Sequence, residues 1–168
     1  MFVFQYKGPA RAKNVNPRAE LHGEEKELGI DVNIEAIVSI GVAAQLLFTD
    51  TKKADAALKA LMFEPDGAIN PAIKEISWHR KYEGYILDLT GGRKPIPIRD
   101  ATLCKFKTAA AGPDTVTLKF QIQFAPSKKA IADITDLILQ DVIEVNIEGP
   151  AQGDMVDAEA ESEEAEAA

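Results

Sequence analysis

The chain has 168 residues, 46% of them hydrophobic, with 27 acids against 19 bases, a net charge of −8 and one cysteine. That length suffices for one domain with a core, since about 150 residues bury about two-thirds of their unfolded surface, and a lone Cys104 excludes an intramolecular disulfide and suggests a reducing, cytoplasmic setting. Met1-Phe2-Val3-Phe4-Gln5-Tyr6-Lys7 lacks the pattern of a secretory signal, and no window approaches the roughly 18 apolar residues of a membrane span.

Residues 151–168 hold seven acids and no base, so residues 1–150 are near neutral at −1. The other end is basic, with Lys7, Arg11, Lys13 and Arg18 against Glu20 alone.

In chain order, Phe2, Phe4 and Tyr6 alternate with Val3 and Gln5 as a first strand that Gly8-Pro9 should stop. Ala10 to Val15 reads as a second strand ended by Asn16-Pro17, and Pro17 to Lys26 as an exposed turn or hairpin loop leading into the next strand. The clearest pattern follows. Leu28, Ile30, Val32, Ile34, Ala36, Val38 and Ile40 occupy every second position, the mark of a strand with one dry face; Ile37 alone breaks the wet face. Fourteen strand residues span roughly 45 Å, so a bend or bulge is expected. If the preceding segment pairs with this strand, Arg11 and Lys13 can reach Asp31 or Glu35.

Ala54, Ala57, Leu58 and Leu61 then take helical spacing, predicting a helix over 51–63 that Glu64-Pro65-Asp66-Gly67 stops. Val42 to Phe48 fits either a helical turn or the end of the strand. Ile76, Trp78 and Arg80, then Tyr85, Leu87 and Leu89, predict two strands with a turn at Lys81 to Gly84. Pro95 and Pro97 confine their segment to an edge or an irregular stretch. Ala101 to Thr108 and Val116 to Phe124 predict a hairpin, with Cys104 on one face with Thr102 and Phe106. Ser127 caps a second helix, about 128–140, and Ile143, Val145 and Ile147 mark a last strand.

The expectation is a mainly β (α+β) domain over 1–150, an antiparallel β-sandwich or partly open barrel of about seven to nine strands with two short helices. A disordered acidic tail over 151–168 follows.

Catalytic constellations are not evident. His22 and His79 lack the partners of a zinc site, no nucleophile elbow or phosphate-cradling glycine loop occurs, and a base cannot be placed beside Cys104. No cofactor, metal or enzymatic activity is expected. The run Trp78-His79-Arg80-Lys81-Tyr82-Glu83-Gly84-Tyr85 interleaves aromatic and basic groups, a combination that stacks unpaired bases and neutralises phosphates. Candidate nucleic-acid-binding residues are therefore Trp78, Arg80, Lys81, Tyr82, Tyr85, Arg11, Lys13 and Arg93, with Lys7, Lys94, Lys105 and Lys107 extending the surface. The competing reading buries Trp78 and Tyr85 and leaves the cations as decoration.

A compact β body, dispersed cations and aromatics, and the acidic run Asp154 to Glu166 are together similar in plan to single-stranded-DNA-binding proteins among the small replication and recombination accessory proteins of bacteriophages. That resemblance has no shared motif, and the chain departs from it in its near-neutral body and in ending Glu166-Ala167-Ala168. It implies a binding module for single-stranded DNA or RNA, with the tail competing for the cationic surface. The alternative is a protein-interaction module or an inhibitor of a host protein, acting through an edge strand or the tail.

Overall fold

A computed structural model describes residues 4–47, 51–91 and 94–150. Its strands are β1 (Tyr6–His22), β2 (Glu25–Ser39), β3 (Ile76–Trp78), β4 (Tyr82–Thr90), β5 (Ile96–Gly112), β6 (Thr115–Phe124) and β7 (Ile143–Pro150). The helices are α1 (Ile40–Leu47), α2 (Thr51–Met62) and α3 (Lys128–Asp136), with a 3-10 turn at Leu137–Leu139. All strand pairs are antiparallel, in the order β5-β4-β7-β1-β2-β6, and β6 returns to β5. Six strands thus form a closed barrel, and β3 lies outside that ring, paired to β5. The architecture is a closed barrel rather than a sandwich, and the strand count sits at the low end of the expected range.

β2 forms as its alternation requires: Ile30, Val32, Ile34, Ala36 and Val38 are buried, and Ile40, also buried, opens α1 instead of continuing the strand. The first five meet Val116, Leu118, Phe120, Ile122 and Phe124 of β6, also buried, through a register running from Ile30↔Phe124 to Ser39↔Thr115. Each of the Ile, Val, Leu and Phe side chains among them contributes about 1.5–3 kcal/mol by leaving water. Because α1 continues from Ser39 and α3 follows Phe124, the helices cover opposite ends of the barrel. Ala43, Ala44 and Leu46 of α1 and Ala54, Leu58 and Met62 of α2 join the core at one end, Ile134 and Leu137 at the other. Ser127 caps α3 as expected, its hydroxyl accepting from the Ala130 amide at 3.3 Å. Gly91 lets the chain press against the 3-10 turn: a Cβ there would lie 2.6 Å from Leu137 Cδ2 and 2.8 Å from Ile143 Cγ2.

Several boundaries differ from expectation for one reason. Gly8-Pro9 and Asn16-Pro17 do not stop β1, because β7 pairs with residues 6–10 and β2 with 11–22, on opposite edges. Each proline therefore has a single neighbouring strand and need donate no hydrogen bond to the other side. Pro97 likewise has β4 on one edge, while β6 joins β5 only from Thr102. The segment 17–26 is strand on both sides of a two-residue turn, Gly23-Glu24, where Gly23 holds φ +70°. Residues 42–47 are helix, within α1, and Phe48 lies outside the described residues.

β3 and β4 are not a hairpin. Ile76↔Thr108, Trp78↔Phe106, Tyr82↔Leu103 and Leu89↔Ile96 place both along one edge of β5, with a register shift near Gly84 instead of a reversal. Lys105 holds φ +56° at a second register shift, so Cys104 faces the same way as Gln121 while Phe106 enters the core. Cys104 and Phe106 therefore do not share a face. The expected disorder of 151–168 lies outside the described residues, as does Arg93.

Candidate interaction surfaces

The aromatic members of the 78–85 run build core rather than surface. Phe4, Trp78, Tyr82, Tyr85, Phe106 and Phe120 gather near α1; Trp78 stacks on Phe106 at 5.5 Å with planes 6° apart, and Phe106 stacks on Phe120 at 5.7 Å. Tyr82 meets Phe106 and Tyr85 edge-on at 5.7 and 5.8 Å. Tyr82 and Tyr85 are 7% and 4% exposed, so neither offers a ring face to a base. Their hydroxyls are tied to backbone: Tyr82 donates to the Leu46 carbonyl at 3.3 Å, and Tyr85 accepts from the Phe4 amide at 3.1 Å. Trp78 is half-buried, its Nε1 enclosed and without a hydrogen-bond partner among the described residues. The stacking role expected of both tyrosines is therefore corrected, the cause being inward placement of rings that fill the barrel end.

The cations of the run do face outward. Arg80 and Lys81 are exposed, the Arg80 guanidinium lying 5.1 Å from the centroid of Tyr82. Arg11 and Lys13 sit elsewhere, on β1. Lys13 pairs with Glu35 at 3.6 Å, and Arg11 Nε donates to the Asp141 carbonyl at 3.4 Å. Asp31 takes Arg18 instead, Nε to Oδ1 at 2.6 Å. Lys7 lies opposite Asn146 on β7. Lys94 lines a cleft of about 670 Å³ between α3 and the start of β5, beside Lys129, Asp133 and Asp136, whose charges are of mixed sign.

A row along the outer wall connects some of these groups through pairing: Arg11, Glu35, Lys119, Lys107 and Ser77 are successive neighbours across β1, β2, β6, β5 and β3. Lys107 and Lys119 stand directly opposite one another, both exposed. The adjacent row is uncharged: Asn33 donates to Asn14, Gln121 donates to Asn33 Oδ1 at 3.1 Å, and Gln123 donates to Gln121 Oε1 at 2.8 Å. Cys104 Sγ lies 4.0 Å from the same Gln121 oxygen, and burial pushes its thiol pKa up despite Lys105 and Lys81. Among the described residues, no three of His, Cys, Asp and Glu gather closely enough to hold a metal ion.

Sequence reasoning missed the second surface. β2 meets β6 only from Ile30 onward and β7 leaves β1 after Ala10, so the rungs from Arg18↔Gly29 to His22↔Glu25 project as a two-stranded arm. The arm is amphipathic. Pro17, Ala19 and Leu21, opposite Ile30, Leu28 and Lys26, continue the barrel's inward face past the last of the described residues that cover it. Leu21 is 71% and Leu28 42% exposed, so Leu28, expected on the dry face, lies beyond the core. The other face holds Arg18 between Glu20 and Asp31, with Glu27 opposite Glu20. Ile37, on the outer wall of β2, is also 68% exposed. The clue lay in strand length: β2 has 15 residues and β6 has 10.

Against known protein families, curated proteins and solved structures, the chain finds no match. Among the described residues no helix is long and apolar enough to cross a membrane.

Proposed function

We propose that this chain is a non-enzymatic protein-interaction module whose arm, residues 18–29, inserts its apolar face into a cleft of a partner protein. The observation that carries this reading is the amphipathic arm, which presents Leu21 and Leu28 to water where an isolated two-stranded hairpin is at best marginally stable. An exposed apolar strip on a sheet extension is an interaction feature or a liability. With four glutamates, Glu20, Glu24, Glu25 and Glu27, against Arg18 and Lys26, the arm suits an apolar cleft bordered by basic side chains. The test compares the full chain with the L21K/L28K double variant. A partner captured by the wild type and lost by the variant, at unchanged melting temperature, supports the reading. Equal capture by both, or no specific partner with a monomer in light scattering, overturns it.

A second reading, binding of single-stranded nucleic acid, is favoured by Lys107 opposite Lys119 on the outer wall, with Lys105 and Lys81 near Cys104 on the outer side of the same two strands. Like charges directly opposite on a sheet are destabilising, and a polyanion would relieve that repulsion. This reading uses phosphate contacts rather than the two tyrosines. Retention of an oligonucleotide at low salt, falling with a slope of roughly −0.7 per phosphate neutralised and abolished by K107E/K119E, supports it; no retention at low salt removes it.

A further inference from the structure

The arm and α3 lie at the same end of the barrel. Pro17 pairs with Ile30, Ile30 pairs with Phe124, and α3 starts at Lys128, so the cap of that end follows directly from the rung at the base of the arm. β5 begins there too, since Leu89 is paired with both Ile96 and Val145. Among the described residues, five of the eight exposed large hydrophobic side chains gather at this end: Leu21 and Leu28 on the arm, and Ile138, Leu139 and Val142 beside the cap. Leu139 is 80% and Val142 64% exposed, so the two form a bare apolar shelf. Gln140, between them in the chain, lines the cleft of about 670 Å³ between α3 and β5, where Ile96 and Leu137 supply a buried apolar floor.

One end thus carries both a projection and a concavity, and their charges match. The cleft sets Lys94 and Lys129 against Asp133 and Asp136. The exposed tip of the arm sets Glu24 and Glu25 against Lys26, which stands opposite Leu21 on the apolar face. A surface that bears both halves of a contact is self-complementary, the condition for two copies to meet about a two-fold axis and close at two.

We propose that the partner of the arm is a second copy of this chain, each arm of a two-fold dimer entering the α3 cleft of the other copy. This rests on the arm being an interaction element and names what it meets. The five rungs from Arg18↔Gly29 to His22↔Glu25 reach about 17 Å beyond the barrel, enough to carry Leu21 and Leu28 onto the shelf and floor of the facing cleft. There Glu24 and Glu25 meet the partner's Lys94 and Lys129, and Lys26 meets the partner's Asp133 and Asp136. Because the exchange is reciprocal the contact is made twice, and both bare apolar surfaces leave water together.

The test is sedimentation velocity on the full chain over a concentration series, for the wild type, the arm variant L21K/L28K, the shelf variant L139K/V142K and an equimolar mixture of the two variants. Expected is a wild-type dimer whose dissociation constant rises at least about thirtyfold in each variant, the scale of a hot-spot loss. The mixture should recover dimer, because the shelf variant keeps its arm and the arm variant keeps its cleft. Melting temperatures taken at a dilution where the wild type is monomeric should agree for all three proteins, which separates lost contact from lost folding. A wild type that stays monomeric to its solubility limit overturns the proposal. So does a dimer indifferent to either variant, or a mixture that remains monomeric. A monomeric wild type that captures a different protein through Leu21 and Leu28 overturns the second copy as partner and leaves the arm an interaction element; one that captures nothing overturns both.

Discussion

Each tyrosine of the aromatic cluster carries a hydroxyl into an apolar space, and each hydroxyl is answered by a backbone group. Removing the Tyr85 hydroxyl in Y85F strands the Phe4 amide, and a buried donor left unmade costs about 1–3 kcal/mol; urea unfolding should show that loss. Thr108 predicts the opposite sign. Its Oγ1 is buried without a partner among the described residues, so T108V removes a desolvated hydroxyl at nearly constant shape and should raise stability by about 1 kcal/mol in the same measurement. Burial pushes the pKa values of Cys104, Tyr82 and Tyr85 above their ordinary 9.0 and 10.0. A group raised in the folded state contributes stability that is complete below its unfolded pKa and disappears as pH climbs through the folded one. Denaturation midpoints should thus hold steady from pH 6 to 8 and fall above about pH 9, and the native thiol should resist alkylation at pH 7 until denaturant is added.

At the level of elements, β2 shows what periodicity can and cannot reveal. Alternation every second residue identified the strand and its buried face from Ile30 to Val38, because side-chain direction is a local property of extended backbone, while Ile40, expected in the strand, opens α1. It could not say how many rungs have neighbours, which depends on where β6 ends; hence Leu28 was expected inside and lies outside. Proline misled for the same reason. Whether a missing amide matters depends on the second edge of the strand, and at Pro9, Pro17 and Pro97 that edge is vacant among the described residues. The interleaved 78–85 run was legible neither as elements nor as a surface: the turn expected at Lys81 to Gly84 is strand from Tyr82 onward, and which way the rings point is settled by the register against β5 and by the Gly84 irregularity. Mutations measure the difference between core and arm. Ile34→Ala should cost about 2–5 kcal/mol, whereas L21K/L28K should stay within about 0.5 kcal/mol per site of the wild type, both read from denaturant midpoints.

At the level of the whole molecule, closure rests on contacts distant in sequence: β1 with β7, β2 with β6, and β4 with β7. Local hairpins β1–β2 and β5–β6 can form early, but neither buries its apolar face until the ring closes. Stopped-flow refolding should therefore be slow for a chain of this size, in the millisecond-to-second range typical of β-barrels. Phe106→Ala, at the centre of the aromatic stack, should lower stability by about 3–5 kcal/mol.

The pairing of β1 with β7 also makes the order in which the strands are synthesised dispensable. Tyr6 stands across from Ile147, so a short linker could splice the end of the last strand to the start of the first. New termini could then be cut at the exposed turn around Gly67 between α2 and β3, where the chain makes no ladder contacts that the barrel needs. Such a circular permutant should keep the same ring of neighbours and the same projecting arm.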